Sequence, residues 1–282
     1  MASAYNDSSA EPDTVVLIHG LWLTPRCWEH WVGHYADAGF HVVTPAWPGM
    51  EIEVEALRDD PSVMAGLGVG EVADHIERLV RQLSPPPILI GHSIGGLIVQ
   101  LLLDRGLGAA GVTLHSAPVK GVYRLPLSSL RSSLPVLRSP ANRTRTVALT
   151  HQQWRYAFAN TLTATDAEAA YERYHVPAPG RPIWQAATAN LRPRSPTRVD
   201  FRYHRAPLLM IAGGADHTVP AALCRENARR YRRSSSITEY HEFPGRPHFT
   251  TGASGWEDVA DYALDWAVAH TRAEADRSRP SP

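Results

Sequence analysis

A chain of 282 residues, 44% hydrophobic and 20% charged, is long and apolar enough to bury a sizeable core. Lys+Arg 28 balance Asp+Glu 28, which removes the electrostatic case for a nucleic-acid partner. Lys120 is the only lysine, a bias that reads as composition rather than phosphate recognition. The two cysteines, Cys27 and Cys224, are too few and too far apart for a disulfide framework or a metal site. The start of the chain lacks the basic and apolar stretches of a signal peptide, and no apolar run is long enough to span a membrane. The expectation is a cytoplasmic protein with neither a membrane nor a nucleic-acid partner, a monomer or homodimer.

In chain order, residues 1–13 and the charged, proline-bearing 272–282 read as disordered tails. Thr14–Ile18 is a buried-strand run ending at His19-Gly20. Pro25 opens a helix with Trp28, Trp31, Val32 and Tyr35 on one face, and Phe40–Thr44 is the next strand. Val69–Leu83 reads as an amphipathic helix. Pro87–Ile90 and Ala110–His115 are strands, separated by a buried helix over Leu97–Leu103. From Val119 to Asp200 the alternation breaks into short helical patterns with no clear strand. It resumes with a strand at Pro207–Ala212, a helix at Ala221–Tyr231, a strand at Ser236–Phe243 and a last helix from Trp256 to His270.

Apolar strands that alternate with helices predict a mostly parallel sheet covered on both faces. The domain expectation is therefore a core made of residues 14–118 and 201–271. Residues 119–200 form an insertion too long to be a simple loop.

Between the third strand and its helix stands Gly91-His92-Ser93-Ile94-Gly95-Gly96. A strand that enters a G-x-S-x-G turn and leaves as a helix forces the serine into a strained conformation, its hydroxyl exposed above the sheet edge. Serine at its free pKa is a poor nucleophile, so a base must take its proton and a third group must orient that base. Active-site groups on such a sheet lie just beyond the carboxyl ends of the strands, which restricts the search to a few loops.

Asp216 follows the strand at Pro207–Ala212, in Gly213-Gly214-Ala215-Asp216. An aspartate capping the turn also suits that place. No carboxylate follows the preceding strand, where Ser116-Ala117-Pro118 stands. Of 14 histidines, His248 lies in a loop just beyond the last strand and completes the order Ser…Asp…His. His217 neighbours the acid, His241 lies inside a strand, and His92 is the variable position of the turn. Two backbone N–H groups should receive a tetrahedral oxyanion: that of Ile94, and that of Leu21 with Trp22 as the alternative.

His19-Gly20, Gly91–Gly96, Gly214-Ala215-Asp216 and Pro247-His248-Phe249 together resemble the α/β-hydrolase superfamily. The resemblance implies Ser93, Asp216 and His248 as a catalytic triad, a nucleophile elbow, an oxyanion hole, and a cap or lid at residues 119–200. The family's sheet often begins with an antiparallel hairpin, for which the residues before Thr14 leave no room. About six strands, all parallel, are expected instead.

The activity expected is cleavage of a small to medium, mostly apolar carboxylic ester through an acyl-enzyme, with a small-molecule substrate and without cofactor or metal. The same constellation serves lactonases, thioesterases, C–C bond hydrolases, perhydrolases and biosynthetic lyases or cyclases, and some members act as receptor-like ligand binders. A carboxylate nucleophile, as haloalkane or epoxide cleavage needs, is not what stands at Ser93. Aromatic residues of the insertion suggest an apolar pocket, for which Trp22, His92, Trp154, Phe158, Tyr171 and Trp184 are the candidates. Arg155, Arg173 and Arg181 read as solvated surface.

Overall fold

The computed structural model describes residues 11–278; residues 1–10 and 279–282 of the expected disordered tails lie outside them. Six parallel strands form the main sheet, in the order β2 (His41–Val43), β1 (Thr14–Ile18), β3 (Ile88–His92), β4 (Ala110–Leu114), β7 (Leu208–Gly213), β8 (Thr238–Phe243). In chain order, β1 is Thr14–Ile18, α1 Glu29–Asp37, β2 His41–Val43, α2 Val54–Asp59, α3 Val69–Val80, β3 Ile88–His92, α4 Ile94–Asp104 and β4 Ala110–Leu114. Then come α5 Leu127–Leu137, β5 Thr146–Val147, α6 His151–Ala157, α7 Ala164–Tyr174, β6 Ala178–Pro179 and α8 Arg181–Ala187. The chain returns to the sheet with β7 Leu208–Gly213, α9 Ala221–Arg230, β8 Thr238–Phe243 and α10 Trp256–Ser278.

The central strands β1, β3, β4 and β7 are buried along their whole length, which is why each reads as a mostly apolar run without polar alternation. Helix α4 is buried from Ile94 to Leu103, between the sheet and α3. Trp28, Trp31 and Tyr35 pack edge to face, and the Trp31 indole and Tyr35 hydroxyl donate to the carbonyls of Thr251 and Ala260.

Beyond shifts of one or two residues at strand ends, the structure departs from the sequence reading at two helix ends and in the 119–200 segment. The helix at Val69 stops at Val80, where Arg81 closes it. The last helix runs beyond His270 to Ser278, so residues 272–278 of the expected tail continue α10. Between β4 and β7 there is a ladder after all, with β5 antiparallel to β6. Two residues per strand are too few to show a period in sequence.

Register places the candidate site. Ile18 pairs with Gly91, His92 with Leu114, and Gly213 with Phe243. The carboxyl ends of five strands are thereby aligned, and the loops that leave them share one edge of the sheet.

Candidate active site

Ser93 stands between β3 and α4 with φ 56° and ψ −117°, a left-handed conformation that costs a non-glycine residue about 1–3 kcal/mol. Neighbouring backbone holds it there. Ser93 N–H donates to Leu114 O (2.9 Å), and Ser93 O accepts from Ala117 N–H (3.0 Å). Gly95 is required by contact, because a Cβ there would sit 2.1 Å from Ile18 O. Ile94 opens α4, so its N–H has no partner one turn back in the helix.

Asp216 and His248 are brought together. His248 Nδ1–H donates to Asp216 Oδ2 at 2.7 Å, both residues being buried. Asp216 Oδ1 accepts from the N–H groups of Thr218 (2.7 Å) and Val219 (2.8 Å), which fixes the carboxylate plane. Burial opposes the charge on Asp216. Attraction to His248 and the two imidazole hydrogen bonds overcome it and hold the carboxyl well below the usual carboxylate range. His248 Nε2 is buried without a hydrogen-bond partner among the described residues, so it and Ser93 Oγ are not bonded here. Such contacts commonly close only when substrate binds.

One residue was missed in the sequence. His115, just past β4, donates Nδ1–H to the same Asp216 Oδ2 at 2.7 Å. It holds φ 52°, and Gly213 leaves it room: a Cβ there would lie 2.3 Å from His115 Cε1. Burial pushes the imidazole pKa down, so His115 stays neutral at pH 7. No carboxylate directly follows β4, and a histidine that donates to the acid of another loop has no sequence signature.

His115, Asp216 and His248 offer donor atoms within 4.8 Å of one another. Both Nδ1 atoms are already spent on Oδ2 as hydrogen-bond donors, an arrangement for orienting a base rather than for holding an ion. His151, Glu168 and Glu172 also cluster, but at the exposed surface.

A cavity of about 190 Å³ opens at Ser93, with Leu21, Trp22 and Ile94 on the sheet side. Leu130, Leu137 and Ile183, from the segment between β4 and β7, face them. Leu21 and its alternative as donor, Trp22, thus both border the cavity. Trp22 has φ 62°; its indole donates to Val147 O and its carbonyl accepts from Val176 N–H. A larger groove of about 770 Å³ has neither Ser93 nor His248 in its walls.

Of the other pocket candidates, none lines the cavity at Ser93. His92 turns inward, its Nε2–H donating to His248 O at 2.8 Å, and so braces the loop of the base. Trp154 stacks on Phe158 in the core, and Phe158 meets the His248 ring edge-on at 4.8 Å. Tyr171 stacks on His175 and donates its hydroxyl to Leu149 O. Trp184 points to the outer side of α8, under the Arg143 guanidinium. Helical phase in such short helices is what the sequence could not supply. Arg173 and Arg181 pair with Glu29 and Glu71 at the surface.

The sequence profile of the alpha/beta hydrolase family matches residues 15–269. An extracellular α/β-hydrolase from a Paenibacillus species, described as sharing structural and functional homology with tobacco salicylic acid binding protein 2, superposes with a TM-score of 0.65 at 19% identity, covering 91% of this chain and 99% of that one. The monoacylglycerol lipase of Paleococcus ferrophilus gives 0.62 at 20% identity, over 93% and 96%. A pyrethroid hydrolase from Sphingobium faniae JZ-2 gives 0.64 at 17%, over 91% and 97%. At these identities the likeness is one of fold. A search of curated proteins finds no match by sequence. Among the described residues no helix is long and apolar enough to cross a membrane.

Proposed function

Since the chain belongs to the alpha/beta hydrolase family, we propose that it is a serine hydrolase that cleaves a carboxylic ester through an acyl-enzyme. Ser93 Oγ attacks the carbonyl carbon while His248 Nε2 takes its proton. The N–H groups of Ile94 and Leu21, with Trp22 as the alternative, receive the oxyanion; each such donor is worth about 3–4 kcal/mol in the transition state. His248 then returns the proton to the leaving alcohol. Water, activated by the same imidazole, attacks the acyl-enzyme and frees the acid and Ser93. Asp216 keeps His248 in the tautomer with Nε2 unprotonated.

The observation that carries this reading is the pairing of a strained serine at a cavity with a buried histidine whose Nδ1 is bound to a carboxylate and whose Nε2 is unspent. Residues 119–200 act as a cap, closing the cavity from the far side. The mostly aliphatic lining and the 190 Å³ volume suit a small to medium apolar acyl group. The relatives of like fold include proteins described as a lipase, a pyrethroid hydrolase and an esterase, which accords with ester cleavage.

The test is labelling with a fluorophosphonate and a burst of p-nitrophenol from p-nitrophenyl butyrate. Both should vanish in Ser93→Ala. Turnover that survives this substitution would sink the proposal.

A further inference from the structure

Helix α5 is inverted relative to an ordinary surface helix. Its buried positions include Ser129 and Ser132, whereas Leu127, Leu130 and Leu134 face solvent at i, i+3 and i+7. Leu127 is 84% exposed and Leu134 53%; the preceding turn adds Leu125 at 71% and Tyr123 at 68%. Contiguous apolar exposure on this scale marks an interaction surface.

Charge narrows the partner. Arg124, Arg131 and Arg138 are exposed and fall on the same stripe as the leucines. No Asp or Glu occurs between Asp104 and Asp166, while Lys120, Arg143 and Arg145 add to the positive side. The acid that meets this region, Glu226, accepts from the N–H groups of Tyr123 and Arg124 and pairs with Arg230, so its charge is already engaged. Two copies of this face brought together would set arginine against arginine.

The patch is also continuous with the cavity, because Tyr123, Leu125 and Leu130 line it together with Ser93. An acyl chain leaving a lipid layer would pass along leucine into the site without crossing water.

We propose that the 123–138 face docks on an anionic phospholipid surface, the leucines entering the acyl boundary and the arginines meeting the headgroups. This departs from the expectation of no membrane partner. It rests on the hydrolase reading only for the use of the site, not for the docking itself.

The experiment is flotation of the Ser93→Ala protein with vesicles of phosphatidylcholine, alone or mixed with phosphatidylglycerol. Docking predicts recovery with the mixed vesicles, little with phosphatidylcholine alone, and release in about 1 M salt, where screening limits charge attraction to about 3 Å. Leu127→Glu with Leu134→Glu, two positions outside the cavity wall, should lower the bound fraction about tenfold or more. The same pair, introduced into the Ser93 enzyme, should leave cleavage of soluble p-nitrophenyl acetate unchanged. Leu127→Ser with Leu134→Ser is the milder pair should the glutamates perturb folding. Wild-type-like flotation of either variant would mean that charge alone acts, as with any acidic partner, and would overturn the proposal. So would absence of binding to mixed vesicles, or a dimer in light scattering that the variants convert to monomer. Because Ser93→Ala has no turnover on the hydrolase reading, flotation and ester cleavage fail independently.

Discussion

The cavity at Ser93 has one wall made of strand ends and one made of the segment between β4 and β7, and the two are held by different means. On the sheet side, backbone fixes the groups: register sets the loop positions, Leu114 O and Ala117 N–H pin the serine, and two N–H groups orient Asp216. On the other side, short helices lean on the core through scattered bonds, such as Asn160 Nδ2 to Ala215 O and Thr218 Oγ1 to Ala157 O. The leucines of α5 either line the cavity or face water. Chemistry is thus assigned to geometry that side-chain changes barely move, and choice of substrate to geometry that they move easily.

The severest test of the sheet side is Ser93→Ala. Turnover of p-nitrophenyl butyrate should fall about 10,000-fold or more, with the circular dichroism spectrum unchanged. A residual rate near one per cent would mean that the reacting group is elsewhere and that the contrast between the walls has the wrong anchor.

Acid should act on both sides together. Burial pushes the His19 pKa down to about 4 and that of His175 down to about 3. The unfolded chain therefore binds protons near pH 6.5 that the folded one does not, and stability is lost as pH falls from about 6.5 to 4. For His19 alone the loss by pH 4 is about 3 kcal/mol. Asp216, whose pKa is depressed, adds a further loss only below about pH 4. Thermal unfolding from pH 7 to 4 should show a falling midpoint and one transition. Two transitions would show that the segment melts by itself, a sharper division between the walls than the packing suggests.

What the sequence made legible follows the same division. Mostly apolar strands and the glycines around Ser93 leave strong marks, because a buried parallel strand and a strained turn each admit few residue types. Asp216 and His248 are legible as loop residues just beyond strands, which the structure brings within 2.7 Å of one another. His115 is not, since its partner lies 101 positions away and a lone histidine after a strand has no pattern. Trp22 lines the cavity, but Trp154 and Trp184 do not: α6 and α8 span only seven residues each, too short for periodicity to tell the inner face from the outer. Leu130 and Leu137, which line the cavity, lie on a helix whose buried face carries serine.

His115→Leu asks how far the sheet side extends. Leucine removes one of four donors to Asp216, and a hydrogen bond to a charged group is worth about 1.5–3 kcal/mol, so kcat should drop about 10- to 100-fold. KM should hardly change, because the residue touches Asp216 and not the cavity. Asn at this position, which keeps a donor, should recover much of the loss. A purely structural role would show the reverse: lost stability with kcat intact, and no rescue by Asn.

The smallest effect belongs to the other wall. Ile183, on α8, is partly buried and lines the cavity opposite Ser93. Ile183→Ala opens space for one or two more methylenes, and a methylene in an apolar pocket changes kcat/KM by about tenfold at the low end of its range. Across p-nitrophenyl esters from acetate to octanoate, the preferred acyl length should move up by about that factor, with kcat on the best substrate nearly constant. The shift should be modest because α8 can settle into the space, where a strand could not. If the preference does not move while turnover falls, Ile183 supports the catalytic groups instead, and the two walls share one task.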